Sequence, residues 1–178
     1  RYHDKAGLAR RFRTAYLDAA GDYSMLRVLS YYEIYRALVR AKVAALRETE
    51  HAGTGLEDAR RHLSLATRLM DTTRRPALII TFGLSGSGKT YASADLVACS
   101  EAVRIRSDVE RKRCETDSQE RYSDRGIERV YERLLANASA IIDAGYPVIV
   151  DATFIKRERR DEFRSLAERR GVPFRIFH

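Results

Sequence analysis

The run Gly83-Leu84-Ser85-Gly86-Ser87-Gly88-Lys89-Thr90 fits the pattern G-x-x-x-x-G-K-S/T, the spacing at which a backbone can wrap phosphate oxygens. Gly83, Gly86 and Gly88 let the chain curl so that successive N–H groups, those around Ser85 and Ser87 among them, point inward. A helix beginning near Gly88 adds its positive N-terminal end. Lys89 is expected on the β and γ phosphates of a nucleoside triphosphate, and the Thr90 hydroxyl on Mg²⁺. The expected ligand is ATP with Mg²⁺.

Such a metal site also draws on a carboxylate from a neighbouring strand. Asp151, which closes the run Val148-Ile149-Val150-Asp151, is the candidate; the plainer alternative is a strand-end Asp that caps a loop. The next residue is Ala152, not a second acid that would orient water, which favours transfer of phosphate to a bound acceptor over hydrolysis. A candidate base is Asp108, in Ile105-Arg106-Ser107-Asp108-Val109-Glu110-Arg111. Ligands of open α/β sheets bind outside the carboxyl ends of the strands. Asp108 and Asp151 are thus both expected on the rim that holds the γ-phosphate, where a carboxylate can take the proton of an attacking hydroxyl. Arg111 follows one helical turn later and is a candidate holder of an acceptor's phosphate or carboxylate. Asp108 also suits a helix cap acting through Arg113, and Arg111 a solvated place in a charge run. Arg157, Arg159 and Arg160 either add positive charge to the site or form a solvated helix start.

The elements that must position these residues alternate. Residues 77–82 form a short apolar run read as a buried strand of a parallel sheet. A helix over about 88–100, a strand at 103–106, a helix over about 124–143 capped by Ser123, a strand at 147–151, a helix over about 156–170 stopped by Gly171, and a strand at 172–177 follow. The charged alternation at Arg104 and Arg106 places the second strand nearer the sheet edge. This is an α/β pattern with crossover connections. Upstream, three helices are expected over about 8–19, 25–45 and 56–70, with Asp22 or Ser24 as a cap between the first two. The first is expected to pack through Leu8, Phe12, Ala15, Tyr16 and Ala19, and the second through Leu26, Leu29, Tyr32, Ile34, Tyr35, Leu38, Val39 and Val43. A polar linker before Pro76 divides the chain into a helical segment, 1–75, and a sheet-forming segment, 76–178.

Bulk composition bounds the rest. At 178 residues, 44% hydrophobic and 33% charged, the chain suits one good domain or two small ones. It has no run approaching the roughly 20 apolar residues of a membrane span and no secretory signal. It begins at Arg1, as a piece of a longer chain would. Cys99 and Cys114 form no CxxC pair and the four histidines show no zinc spacing; reduced thiols in a cytoplasm are expected. The net charge is +8, and residues 1–75 carry 15 Lys/Arg against 9 Asp/Glu, whereas residues 76–178 carry 18 against 16. The basic helical segment is read as solvated helix faces over a nucleic-acid surface.

The P-loop run, the segment Ile105 to Arg111 and the segment Val148-Ile149-Val150-Asp151-Ala152-Thr153-Phe154 together resemble the P-loop kinases of the polynucleotide-kinase, gluconate-kinase and zeta-toxin kind. The resemblance implies a three-layer P-loop NTPase fold with strand order 2-3-1-4. It implies Asp108 as general base, Arg111 on the acceptor side and Asp151 at the metal. Phosphotransfer from ATP to an acceptor hydroxyl follows, with a small molecule ranked before the 5′-hydroxyl of nucleic acid, because residues 76–178 are only weakly basic. A nucleotide switch or ATPase, and a non-catalytic nucleotide-binding module, are the competing readings. Relatives of this kind continue past the fourth strand into an arginine-bearing lid, so the expectation is a half-site. The run Tyr31-Tyr32-Glu33-Ile34-Tyr35-Arg36-Ala37-Leu38-Val39-Arg40-Ala41-Lys42 resembles the closing helices of an aminoglycoside-phosphotransferase-like domain. That resemblance implies a bifunctional arrangement in which such a domain precedes the P-loop unit; no activity is assigned to its tail.

Overall fold

The computed structural model of the chain describes all residues except 1, 2, 4, 51, 52, 54, 85–90, 92, 94, 95, 98, 99, 115–122 and 178. Two compact units are present: Arg1–Ala9 with Met25–Thr73, and Arg10–Ser24 with Arg74–His178. The second unit thus takes in fifteen residues that lie upstream of the polar linker.

The first unit is built on α2 (Leu26–Glu50) and α3 (Gly55–Met70), which pack along each other. The buried side chains are Leu26 at the start of α2, then the small Ala37, Ala41 and Ala44 along it, and Ala59, His62, Ala66 and Leu69 on α3. Alanines at these spacings put one narrow stripe of each helix at the contact. Of the larger residues expected to do the packing, Tyr32, Tyr35, Leu38 and Val43 are exposed. Glu48 joins the two helices by accepting from the backbone N–H of Gly53, Gly55 and Leu56. Those bonds, the one from Gly53 foremost, hold its carboxyl below the usual carboxylate range.

The second unit is a four-stranded parallel sheet, β2 (Val103–Arg106), β3 (Val148–Asp151), β1 (Leu78–Thr81) and β4 (Phe174–Phe177) in that spatial order. The central strands β1 and β3 are the most apolar and the most buried, as strands covered on both faces must be. The edge strand β2 alternates Val103 and Ile105, buried, with Arg104 and Arg106, half-buried. The helix after β2, α4 (Ser107–Cys114), follows it without a linking residue. Next comes α5 (Asp124–Asp143), which starts at Ser123, whose hydroxyl accepts from Gly126 N at 3.0 Å. It packs Val130, Leu134, Ala138 and Ile141 inward and contacts both β2 and β3. The last helix, α6 (Arg157–Arg170), buries Phe163, Leu166 and Ala167 and closes at Gly171. The helical, α/β and parallel-sheet expectations and the strand order 2-3-1-4 are met. Among the described residues no helix is long and apolar enough to cross a membrane.

The first helix, α1 (Ala6–Ala20), departs from its expected packing. Leu8, Phe12 and Tyr16 are exposed, and the buried residues are Arg13 and Leu17. Arg13 can be buried because its charge is paired. Its guanidinium donates to Glu101 Oε2 and to the Glu101 carbonyl, both at 3.1 Å, and lies 5.1 Å from the centre of the Tyr146 ring.

Candidate nucleotide and phosphate site

All four strands run parallel, so their carboxyl ends share one edge. Asp151 closes β3 opposite Arg106, the last residue of β2, in register. On the other flank Ile80 of β1 pairs with Val150, which brings Thr81 level with Asp151. The chain leaves β1 through Phe82, whose N–H donates to Phe177, and Gly83, whose N–H donates to Thr153 O at 3.3 Å. Gly83 has φ 136°, a conformation that side-chain-bearing residues rarely adopt. The glycine that opens the phosphate-loop pattern is thus where the backbone turns out of the sheet. Ser85, Gly86, Ser87, Gly88, Lys89 and Thr90 lie outside the described residues. Beyond them Tyr91, Ser93, Leu96 and Val97 are helical, so the described flanks of the loop are a strand and a helix.

Asp151 is 7% exposed and accepts from the Ser93 hydroxyl through Oδ2 at 3.3 Å. Ser93, fully buried, accepts in turn from Arg104 Nη1 at 3.2 Å. The Asp151 carboxylate is thereby oriented from the loop's own helix. Asp108 stands in the first turn of α4, exposed, and is ion-paired with Arg106 Nη2 at 2.7 Å. It makes no bond to Arg113, which is engaged elsewhere. Arg111 is half-buried one turn along the same helix. Burial pushes the Asp18 carboxyl up, against the opposing pull of Arg104, Arg106 and Arg113, and Asp108 adds to the rise. A cluster of charge therefore lies along the β2 end of the rim.

Gly83, Asp108 and Asp151 stand at the strand ends of one edge of the sheet, and Arg111 follows Asp108 by one turn of α4. Arg157, Arg159 and Arg160 serve other ends. Arg157 pairs with Asp161 at 3.5 Å. Arg159 pairs with Glu128 and Glu162 and lies 5.0 Å from the Tyr131 ring centre. Arg160 donates to the carbonyls of Phe154 and Ile155 at 2.6 and 2.7 Å and covers Phe82. It thus ties the loop after β3 to the end of β1. Phe154 in that loop has φ 49°, strained for a side chain of its size. It is held by edge-to-face contacts with Tyr131 and Phe163, at 5.4 and 4.9 Å between ring centres, and by its N–H bond to Tyr131 Oη.

Thr81, Ser93, Arg104, Arg106 and Glu110 are polar residues of the site region that motif reasoning passed over. Ser93 follows Thr90 by three residues in the sequence, which was a usable signal. Thr81 is fully buried; its hydroxyl donates to Ala152 O at 2.7 Å and accepts from Ala152 N at 3.1 Å. Thr81→Val keeps the shape and removes both partners, which leaves buried backbone groups unpaired at a cost of about 1–3 kcal/mol. The expected result is a clear fall in Tm by thermal melting. A Tm within about 1 °C of the parent would mean that this hydroxyl does not hold β1 to the Asp151 loop.

Residues 78–178 match the model of the AAA domain family. Over 167 residues the chain is 31% identical to the uncharacterized protein Rv2004c of Mycobacterium tuberculosis and, at the same identity, to the uncharacterized protein Mb2027c of Mycobacterium bovis. These alignments take in 88% of this chain and 33% of each relative, so the chain spans about a third of the length of the curated relatives it matches. The family match covers the whole parallel sheet, from its first strand to its last, and the loop that leaves β1 at Gly83. On that match this chain belongs to the AAA domain family, a group of P-loop NTPases that includes kinases.

Proposed function

We propose that this chain is an ATP-binding P-loop phosphotransferase that moves the γ-phosphate of ATP to a hydroxyl of a small-molecule acceptor. The observation that carries the reading is the pair of carboxylates at one sheet edge. Asp151 and the segment that ends in Asp108 leave adjacent parallel strands, with Arg106 opposite Asp151, beside the strand that feeds the phosphate loop. In this reading Gly83, Ser85, Gly86, Ser87, Gly88, Lys89 and Thr90 cradle the triphosphate. Asp108 takes the proton of the acceptor hydroxyl, the acceptor oxygen attacks the γ-phosphorus, the β–γ bridging P–O bond breaks, and ADP leaves. Lys89 offsets the charge that builds on the transferred group, and Arg111 holds the acceptor.

Thr90 and Asp151 would hold Mg²⁺. The fit at Asp151 is good: it is a carboxylate, a hard oxygen donor, and Ser93 holds it through one oxygen. A bound Mg²⁺ supplies positive charge to the β and γ phosphates. Ala152, where a second acid would orient water, favours transfer over hydrolysis. The near balance of charge in residues 76–178 ranks a small acceptor above a long polyanion. We read residues 1–75 as the closing helices of an aminoglycoside-phosphotransferase-like domain, of which residues 10–24 pack with the sheet, residues 76–178 as the kinase domain, and the cytoplasm, where ATP is available, as the setting.

The test is to incubate the protein with γ-labelled ATP, Mg²⁺, pooled small hydroxyl compounds and 5′-hydroxyl oligonucleotides. Label on a small hydroxyl compound is the expected result. Label found solely as free phosphate overturns the reading in favour of an ATPase or switch, and label on the oligonucleotides moves the acceptor class to nucleic acid.

A further inference from the structure

The helix that carries Asp108 and Arg111 is anchored in an unusual way. Among the residues of α4, all of them described, the buried one is Glu110. Its carboxylate is fully inaccessible. An isolated charge there would be very costly, so it must be paired and hydrogen-bonded. Oε1 accepts from the Tyr23 hydroxyl at 3.2 Å and is ion-paired with Arg113 Nη1; Oε2 is ion-paired with Arg133 Nε of α5 at 2.5 Å. Arg113 then continues the chain of contacts. Its Nη2 donates to the carbonyls of Leu17, at 3.1 Å, and Asp18 at the end of α1, where a cation meets the negative end of the helix dipole. Gly21 completes the fit: its φ is +69°, and a Cβ there would meet the Arg113 guanidinium at 3.0 Å. Burial, and the Glu110 charge after it, push the Tyr23 hydroxyl well up, so it stays a donor.

We propose that Glu110 is a positioning residue for Asp108, tying α4 to the α1 end and the Tyr23 turn through Arg113 and Tyr23, and to α5 through Arg133. Ion pairs and hydrogen bonds are directional where apolar packing is not, so this tie sets the orientation of α4 as well as its distance from the sheet. Asp108 itself is exposed and paired solely with Arg106 among the described residues, so its place on the rim depends on how α4 is held. On this account residues 10–24, which precede Gly83 by 59 to 73 residues, are a working part of the transfer site.

The inference rests on the proposed role of Asp108, and the test separates the two. Glu110→Gln and Tyr23→Phe are made in the full chain. Amide hydrogen exchange over residues 107–114 is expected to quicken about tenfold in Glu110→Gln and measurably in Tyr23→Phe. The kcat for transfer is expected to fall about tenfold in Glu110→Gln with the KM for ATP within about twofold. In an Asp108→Asn background that fall should vanish, because a residue acting through Asp108 has nothing left to position. Unchanged exchange in both folded variants, or a kcat effect that adds fully to that of Asp108→Asn, overturns the proposal. If Glu110→Gln does not fold, Tyr23→Phe, which loses one hydroxyl, decides by the same two measurements. If Asp108→Asn transfers phosphate at the parent rate, the base assignment fails, while the exchange comparison still judges the tie to α4.

Discussion

Lys89→Ala is expected to lack the thermal stabilisation that the proposed function expects ATP and Mg²⁺ to give the parent, and to lower phosphate transfer about 10²–10³-fold. A ligand that binds the folded state alone stabilises it by about 2.7 kcal/mol at a hundredfold excess over Kd, or roughly 5–11 °C in Tm for a chain of this size. Lys89 sits in the pattern opened by Gly83, whose backbone turns out of β1 at φ 136° into a segment followed by helix. Its ammonium is the one full positive charge within that pattern, and phosphate oxygens gathered by backbone N–H groups alone would lack it. A thermal melt with and without ATP·Mg²⁺ reads the effect directly. An equal shift in Lys89→Ala and the parent would mean that the triphosphate is held elsewhere.

Asp108→Asn should leave nucleotide binding intact and lower kcat for transfer about 10²–10⁴-fold, the usual contribution of a general base. The substitution keeps the side-chain shape and removes the proton acceptor. It also removes the pair with Arg106, but Asp108 is half-exposed in that pair, so the stability cost is about 0–1 kcal/mol. The fold therefore survives and the kinetic effect can be read cleanly. Nucleotide affinity comes from titration, and kcat from single-turnover transfer. A kcat unchanged beside an unchanged affinity would remove Asp108 from the chemistry and leave Asp151 as the carboxylate of the rim.

The two residues differ in how they were found. Lys89 belongs to a contiguous eight-residue pattern whose flanks, an apolar run and a helix, are themselves visible locally. Asp108 and Asp151 were placed by a rule about strand ends, which needs a parallel sheet but no contact map. Ser123, Gly171 and the places of the strands, to within two residues at each end, were legible for the same reason: capping and burial on both faces leave local signatures.

The packing of α1, and of α2 beyond Leu26, was not legible. Hydrophobic periodicity pointed to Phe12 and Tyr16 on α1, and to Tyr32 and Leu38 on α2. The buried residues are Arg13 and Leu17 on one; on the other the expected Leu26 is buried, but Ala37, Ala41 and Ala44 take the rest of the contact. A stripe of alanines carries little weight beside tyrosines in any apolarity pattern, yet small side chains are what permit close helix contact. Arg13 reads as surface until Glu101 and the Tyr146 ring are brought to it from some ninety and more than a hundred and thirty residues away.

By itself, then, the amino-acid sequence determined the phosphate-loop pattern, the alternation of strands and helices, and the edge of the sheet at which its carboxylates stand. Each of these is set by neighbours within a turn or a strand. The tertiary structure alone decided that residues 10–24 belong with the sheet, that Ser93 orients Asp151, and that Glu110, in the middle of an apparent run of surface charge, is the buried anchor of the Asp108 helix. The physical reason is common to all three. A charged or polar side chain is buried when distant partners satisfy it, and partners separated by tens of residues leave no period or spacing in the local sequence.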